Sequence, residues 1–368
     1  MAGAGGATAK NRDRVAAAVA SLFAGRILLE DRVVEGFVEV EGGKVVQAGQ
    51  GDPPERPVAT GWIVPSLVNA HTHVADTFLR DRPKPRGVAE LVGPGGWKHK
   101  ELAKARPGQM EDGARRYARE MADVGVSVFC DFREEGVPGT RMLRNLAPEL
   151  PATPLVYGRP ATYGFDEREA ELLLKLCDGI GLSGLRDFRA RDLEAWAEAA
   201  RAARKPLAIH VSEDKRDPID AALALEPAFV VHMVHATTDD LEECSQAGVA
   251  IVTCPRSNAY FGRRPPIQAM LDADCTLAVG TDNGMLQDGN LLAELALLES
   301  MAPDAGQETW LRAATHGGRA ALKLPKSGMP KAGDPVDLVV LPDQPWAKAA
   351  AAKKPQLGVP EQETKPGA

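Results

Sequence analysis

Short apolar runs alternate with amphipathic helical stretches through most of this 368-residue chain, and that alternation limits its fold more than any other feature. Eight runs read as strands: Trp62–Leu67, Val126–Cys130, Pro154–Tyr157, Gly179–Leu182, Pro206–Ile209, Phe229–Val231, Val249–Val252 and Thr276–Val279. Helical stretches fall between them at Met110–Val124, Glu167–Cys177, Asp192–Ala203 and Thr238–Ala247, and after the last at Leu291–Ser300. Strand–helix alternation implies parallel strands, because each crossover must cover a sheet face. Eight units in about 260 residues predict an α/β fold of the (β/α)8 TIM-barrel type. An open, doubly wound sheet is the architectural alternative.

The two ends read differently. Gly25–Leu29, Gly36–Val40 and Lys44–Gln47 are short β signals, with Gly42-Gly43 as a hairpin turn, and Asp337–Leu341 repeats the signal late in the chain. The expected organisation is a flexible N-terminus (1–21), a first β-sandwich part (22–60), the barrel (61–325), a second sandwich part (326–347) and a flexible tail (348–368). The apolar stretch 15–25 follows Lys10, Arg12 and Arg14 as a signal-peptide core would. It runs straight into Arg26-Ile-Leu-Leu29 without a small-residue cleavage site, so the strand reading is preferred.

In a barrel, side chains that do chemistry project from the C-terminal ends of the strands. The chain has only seven histidines, and several fall at such ends. The first strand runs into Asn69-Ala-His71-Thr-His73. In extended backbone, residues i and i+2 face the same way, so the two imidazoles point together. The fifth strand leads to His210-Val-Ser-Glu213, the sixth to His232-Met-Val-His235, and the eighth to Thr281-Asp282. Taken singly, each is an ordinary polar strand end. Together they bring several histidines and an aspartate to one rim, as a metal site requires.

Charge and composition exclude other classes. Lys plus Arg is 44 against 51 Asp plus Glu, a net charge of −7, which argues against binding nucleic acid through its phosphates. No apolar run reaches the ~20 residues of a membrane helix. Five scattered cysteines do not make a disulfide framework, so a reducing cytoplasm is expected.

The motif set resembles the amidohydrolase superfamily, and within it the deaminases and chlorohydrolases of heterocycles. HxH, HxxE, a strand-six His and a strand-eight TD are all present and in order, across roughly residues 22–345. The flanks Gly61-Trp-Ile-Val-Pro-Ser-Leu-Val-Asn-Ala70, Cys254-Pro-Arg-Ser-Asn258 and Gly333-Asp-Pro-Val-Asp-Leu-Val-Val-Leu341 agree. The resemblance implies a TIM barrel flanked by a small β-sandwich built from both chain ends. It implies that His71, His73, His210 and Asp282 bind one divalent metal ion, with Glu213, His232 and Asp282 catalytic. Zn²⁺ suits three imidazoles and a carboxylate, and Fe²⁺ fits as well. Strand four, Gly179-Ile-Gly-Leu-Ser183, has no Lys to bridge a second metal, which favours a mononuclear site.

The implied reaction is hydrolytic deamination of a purine, pterin or pyrimidine type of ring by metal-activated hydroxide, with Glu213 carrying the proton to the ring nitrogen. A halide or cyclic amide leaving group at the same site is the alternative. A non-catalytic binding relative fits less well, because no ligand is missing. Contacts to the small heterocycle are expected from the long loop after strand one, where Trp97 could stack on a ring and Lys98 or His99 could meet an anion. Arg186, Arg256 and Asn258 lie on the same face. That loop, with Val74-Ala-Asp-Thr-Phe-Leu-Arg80, departs from the better-known deaminases, so the ring stays open. His235 reads as a loop or supporting residue and His316 as structural. A homodimer is suggested by the resemblance alone.

Overall fold

The computed structural model describes residues 20–82, 84, 87–106 and 108–352. Most of the expected flexible N-terminus and tail, and Pro83, Pro85 and Arg86 of the candidate substrate loop, lie outside the described residues. The strands are β1 (Ser21–Leu28), β2 (Val33–Glu41), β3 (Lys44–Gln50), β4 (Ala59–Pro65), β5 (Leu67–His73), β6 (Val126–Arg133), β7 (Thr153–Gly158), β8 (Gly179–Leu182), β9 (Leu207–Val211), β10 (Phe229–His232), β11 (Ala250–Thr253), β12 (Leu277–Val279), β13 (Asp282–Asn283) and β14 (Leu338–Leu341).

Strands β5 to β12 are hydrogen-bonded in chain order, every pair parallel, and β13 pairs with β5 on its free side. β13 begins only three residues after the end of β12, so the two edges of the sheet meet and it closes into a barrel. This is the expected (β/α)8 fold. Alternate residues divide the core, as strand geometry requires. Val68, Phe132, Ala208, Phe229, Val231 and Val252 fill the inside. Leu67, Phe129, Val156, Ile209, Val230 and Ile251 pack outward against the helices. The helix Gln109–Ala122 shows why: Ala114, Tyr117, Ala118 and Met121 recur at i, i+3, i+4 and i+7 and are all buried. The helix Thr238–Gln246 starts at a capping box, in which Thr237 accepts from the Asp240 backbone and Asp240 accepts from that of Thr237.

The chain ends combine into one five-stranded sheet, ordered β14-β4-β1-β2-β3, at the place where a sandwich of both ends is expected. Its hairpin turns at Gly42-Gly43 as predicted. Trp62, Val64, Val339 and Leu341 face the barrel, while Ile63 and Val340 face the sheet's own core. The predicted first barrel strand, Trp62–Leu67, straddles two elements. Residues up to Pro65 belong to this sheet, paired with β1 and β14, and the barrel strand starts at Leu67 and contains the HxH motif itself. At Gly61 the backbone has φ +157, and an added Cβ would lie 2.2 Å from the Leu341 carbonyl oxygen. Gly61→Ala should therefore cost about 1–3 kcal/mol, read as a fall in Tm without loss of the far-UV signature.

The first residues of the stretch read as a tail form a helix, Trp346–Ala352. It docks on the helix Leu291–Met301, with Trp346 fully buried and Asn290 Nδ2 donating to the Ala350 carbonyl at 2.9 Å. No helix among the described residues is long and apolar enough to cross a membrane.

Candidate metal centre and its cavity

A kink in β5 aims the two histidines of the HxH motif. Val68 and Ala70 face the barrel interior, so strict alternation would turn His71 and His73 away. Between Asn69 and Thr72, however, three steps along β5 oppose two along β6 (Phe129 to Asp131), which is a β-bulge with one extra residue. Asp131 clamps it, with Oδ2 accepting from Thr72 Oγ1 at 3.1 Å and from the Val74 backbone at 2.6 Å. The bulge reverses the alternation and brings both imidazoles into the mouth.

Two other site residues depend on unusual backbone. Val231 faces the barrel interior, so His232 would face the helices, but its φ of +79 turns the ring back. Asp282 has φ +57 and Ser212, beside Glu213, has φ +52. Such conformations cost of order 1–3 kcal/mol each for residues other than glycine and gather at functional sites.

The side chains converge. His71 Nε2 lies 3.4 Å from Asp282 Oδ1 and 3.3 Å from His210 Nε2, and His73 Nε2 is 3.5 Å from the same Asp282 oxygen. Donor atoms of His71, His73 and Asp282 lie within 4.8 Å of one another, as do those of His71, His210 and His232. All five residues are buried. The Nδ1 atoms show what the cluster lacks. His210 Nδ1 faces the Leu182 carbonyl at 2.8 Å. His73 Nδ1 faces the Phe132 carbonyl at 3.0 Å and Glu134 Oε1 at 2.7 Å. Both must carry hydrogen, so both Nε2 atoms present lone pairs, that of His73 beside the Asp282 carboxylate and that of His210 beside His71. A divalent cation satisfies such a set, and the residues fit one.

The electrostatics agree. Burial pushes His73 down to about 3, helped by the Lys98 charge and opposed by Glu134. Burial also lowers His71, and it lowers His210 with the help of the neighbouring imidazoles, so the rings stay neutral. Burial works to raise Asp282, but the His71 hydrogen bond and the surrounding imidazoles outweigh it and hold the carboxyl well below its usual range. Ser257 Oγ donates to its second oxygen. Gly280 leaves room for the cluster: a Cβ there would lie 2.8 Å from His71 Cβ. Gly280→Ala should displace His71 and reduce bound metal at least tenfold, measured by elemental analysis of the purified protein.

A cavity of about 280 Å³ opens above these residues, lined by His73, His210, Glu213, His232 and Asp282. Glu213 keeps 21% side-chain exposure there, and its Oε2 is 3.7 Å from His232 Nε2. Burial raises its pKa, only partly offset by His232.

The remaining predicted contacts are placed variously. Lys98 and Arg186 line the cavity. Arg186 is also paired with Asp217 at 2.6 Å. Lys98 is buried, with its ammonium on Asp76, Glu134 and Asn283. His99 lines a small side compartment with Arg159, Tyr163 and Ser183. Trp97 packs against Leu79, Leu91 and Met285. Arg256 turns to Asp288 and Glu294. Asn258 Nδ2 meets His232 Nδ1 at 3.2 Å, so it fixes the ring rather than lining the cavity. His235 is exposed, and His316 lies on a helical turn, Ala313–Gly317, near Leu28. Sequence reasoning missed Glu134 and Arg159. Both follow hydrophobic strands, β6 and β7, so the strand-end rule applied to every strand would have found them.

The sequence profile described as the amidohydrolase family matches residues 62–359. A protein of uncharacterised function from Methanocaldococcus jannaschii is 28% identical over 329 residues, 83% of this chain and 82% of its own. A 5-methylthioadenosine/S-adenosylhomocysteine deaminase from Halobacterium salinarum is 28% identical over 347 residues, 83% of this chain and 79% of its own. Among solved structures, an adenosine deaminase from Xanthomonas campestris with bound zinc superposes with a TM-score of 0.70 at 21% identity, covering 92% of this chain and 93% of that one.

Proposed function

Since the chain belongs to the amidohydrolase family, a group of hydrolases acting on carbon–nitrogen bonds, we propose that it deaminates an N-heterocycle of purine, pterin or pyrimidine type. One observation carries this reading: His71 gathers His73 and Asp282 on one side and His210 on the other, at the floor of a cavity whose wall holds Glu213. His71, His73, His210 and Asp282 would hold one divalent ion, with Zn²⁺ best suited to the set. Bound there, it supplies hydroxide at neutral pH by lowering the pKa of water from 15.7 to about 7.

The chain's own groups do the rest. The ring enters with its amidine carbon toward the histidines. Glu213 accepts a proton from the attacking water and delivers it to the ring nitrogen, and its raised pKa suits both halves of that transfer. His232, held by Asn258, orients the water's oxygen. Asp282, kept ionised, takes the second proton, which leaves with the amine. A carbon–oxygen bond forms, a carbon–nitrogen bond breaks, and ammonia departs. The cavity volume suits a one- or two-ring substrate. The five cysteines are all unpaired, as suits a reducing cytoplasm.

The test is ammonia release from the zinc-loaded protein across purine nucleosides, free purines, pterins, cytosine and aminotriazines. Release from one of these ring classes supports the reading. Chloride release from a halogenated triazine, with no ammonia from any ring, would replace it with a chlorohydrolase.

A further inference from the structure

Lys98 is an unusual residue to bury. It lies on the short helix Trp97–Leu102 in the loop after β5, and only 2% of it is exposed. Its Nζ is 2.6 Å from Glu134 Oε1, 2.9 Å from Asp76 Oδ2 and 3.1 Å from Asn283 Oδ1. Taking an ammonium out of water is costly unless it is well paired. Anchoring the loop does not require that expense, because Leu91 and Leu102 are already buried.

The partners show what the charge acts on. The Glu134 oxygen that Lys98 touches is the one that accepts from His73 Nδ1 at 2.7 Å. Asn283 is the neighbour of Asp282 in β13. Glu134 is held on its other side by Arg133 Nη2 at 3.1 Å, and Arg159 Nη1 is 3.2 Å from the shared oxygen. One side chain from the substrate-side loop thus reaches the carboxylate that orients one metal-site imidazole and the residue next to the metal-site aspartate. A carboxylate behind a ligating histidine fixes its tautomer and raises its basicity, and losing such a partner typically costs 10- to 100-fold in metal affinity.

We propose that Lys98 is a positioning residue which, by holding Glu134 against His73 Nδ1, sets how strongly His73 grips the metal ion and so couples seating of the loop to metal retention. The inference rests on the metal-site reading above. It makes the loop part of the metal centre as well as a wall of the pocket.

The experiment is a double-mutant cycle read by metal affinity. Zinc dissociation constants are measured by chelator competition for the full chain and for Lys98→Met, Glu134→Gln and the double variant. Each is also loaded with Co²⁺ and its visible spectrum recorded. Each single variant should bind zinc 10- to 100-fold more weakly. The Lys98 substitution should cost less than about threefold more once Glu134 is already replaced. The two Co²⁺ spectra should shift alike, which a loop-anchoring role would not produce. If Lys98→Met does not fold, Lys98→Gln, which keeps length and polarity, replaces it in the same cycle. Wild-type affinity and spectrum in the Lys98 variant, or losses that simply add, would overturn the inference alone. A wild-type chain that binds no divalent ion would overturn the metal-site reading and this inference together.

Discussion

Glu213→Gln should leave the protein folded and loaded with metal while lowering kcat by about 10²- to 10⁴-fold, the usual worth of a positioned proton carrier. The side chain keeps its size and its place beside His232, 3.7 Å away, so binding and metal content have no reason to change. Only the ability to accept a proton is lost. Amide and carboxylate differ most where a proton must travel, so the loss belongs in kcat with KM nearly constant. The pH profile gives a second check. As a base, Glu213 must be ionised in the free enzyme, and its pKa is raised by burial. Activity should therefore fall as pH drops through a value above the ordinary glutamate range. Elemental analysis, steady-state kinetics and the pH dependence of kcat/KM together decide it. Full turnover in the Glu213→Gln variant would remove this carboxylate from the reaction.

Removing the metal should be the other large effect. Dialysis against a strong chelator is expected to abolish ammonia release, and added Zn²⁺ should restore it. His71→Ala should not be restorable. His71 is the hub of the cluster, within 3.4 Å of both His210 and Asp282. Its loss removes one donor and leaves Asp282, in a buried site, with the Ser257 hydrogen bond but not that of His71. The ion's contribution to such hydrolyses is several kcal/mol, so on the order of 10³-fold or more in rate should disappear. Thermal stability gives an independent reading. A ligand that binds only the folded state stabilises it by about 4 kcal/mol at a thousand times its Kd, so the stripped protein should melt earlier and recover with zinc. If the chelated enzyme keeps its activity, the chemistry does not depend on this cluster.

The barrel and the convergence of the histidines were readable because both follow from local rules. Strand and helix periods alternate, and barrel strands put their functional groups at one end. The aim of the side chains was less readable. Nothing in Asn69-Ala-His71-Thr-His73 announces a bulge, which exists only through pairing with β6. His232 is turned by a left-handed backbone that the local sequence does not demand. Ser66 looked continuous with the strand before it, because the partner that claims Pro65 lies far along the chain at Leu338. Lys98 stood in a loop rich in glycine and lysine and read as a charge that could meet an anionic group of the substrate. Its burial depends on Asp76, Glu134 and Asn283, which arrive from three separate segments. Pairwise tertiary contacts decided each of these, and such contacts have no local signature.

The seam between β13 and β5 sets the timing of assembly. His71 and His73 are synthesised early, whereas Asp282, which stands in the strand that seals the cylinder, follows about 200 residues later. At 5–20 residues per second that interval is on the order of 10 to 40 s. Throughout it, β5 has one flank of unpaired peptide groups, the kind of edge on which chains stick to one another. Closure and completion of the ligand set then arrive with the same two residues. A nascent chain stopped short of Asp282 has neither a closed wall nor the full set of proposed metal ligands.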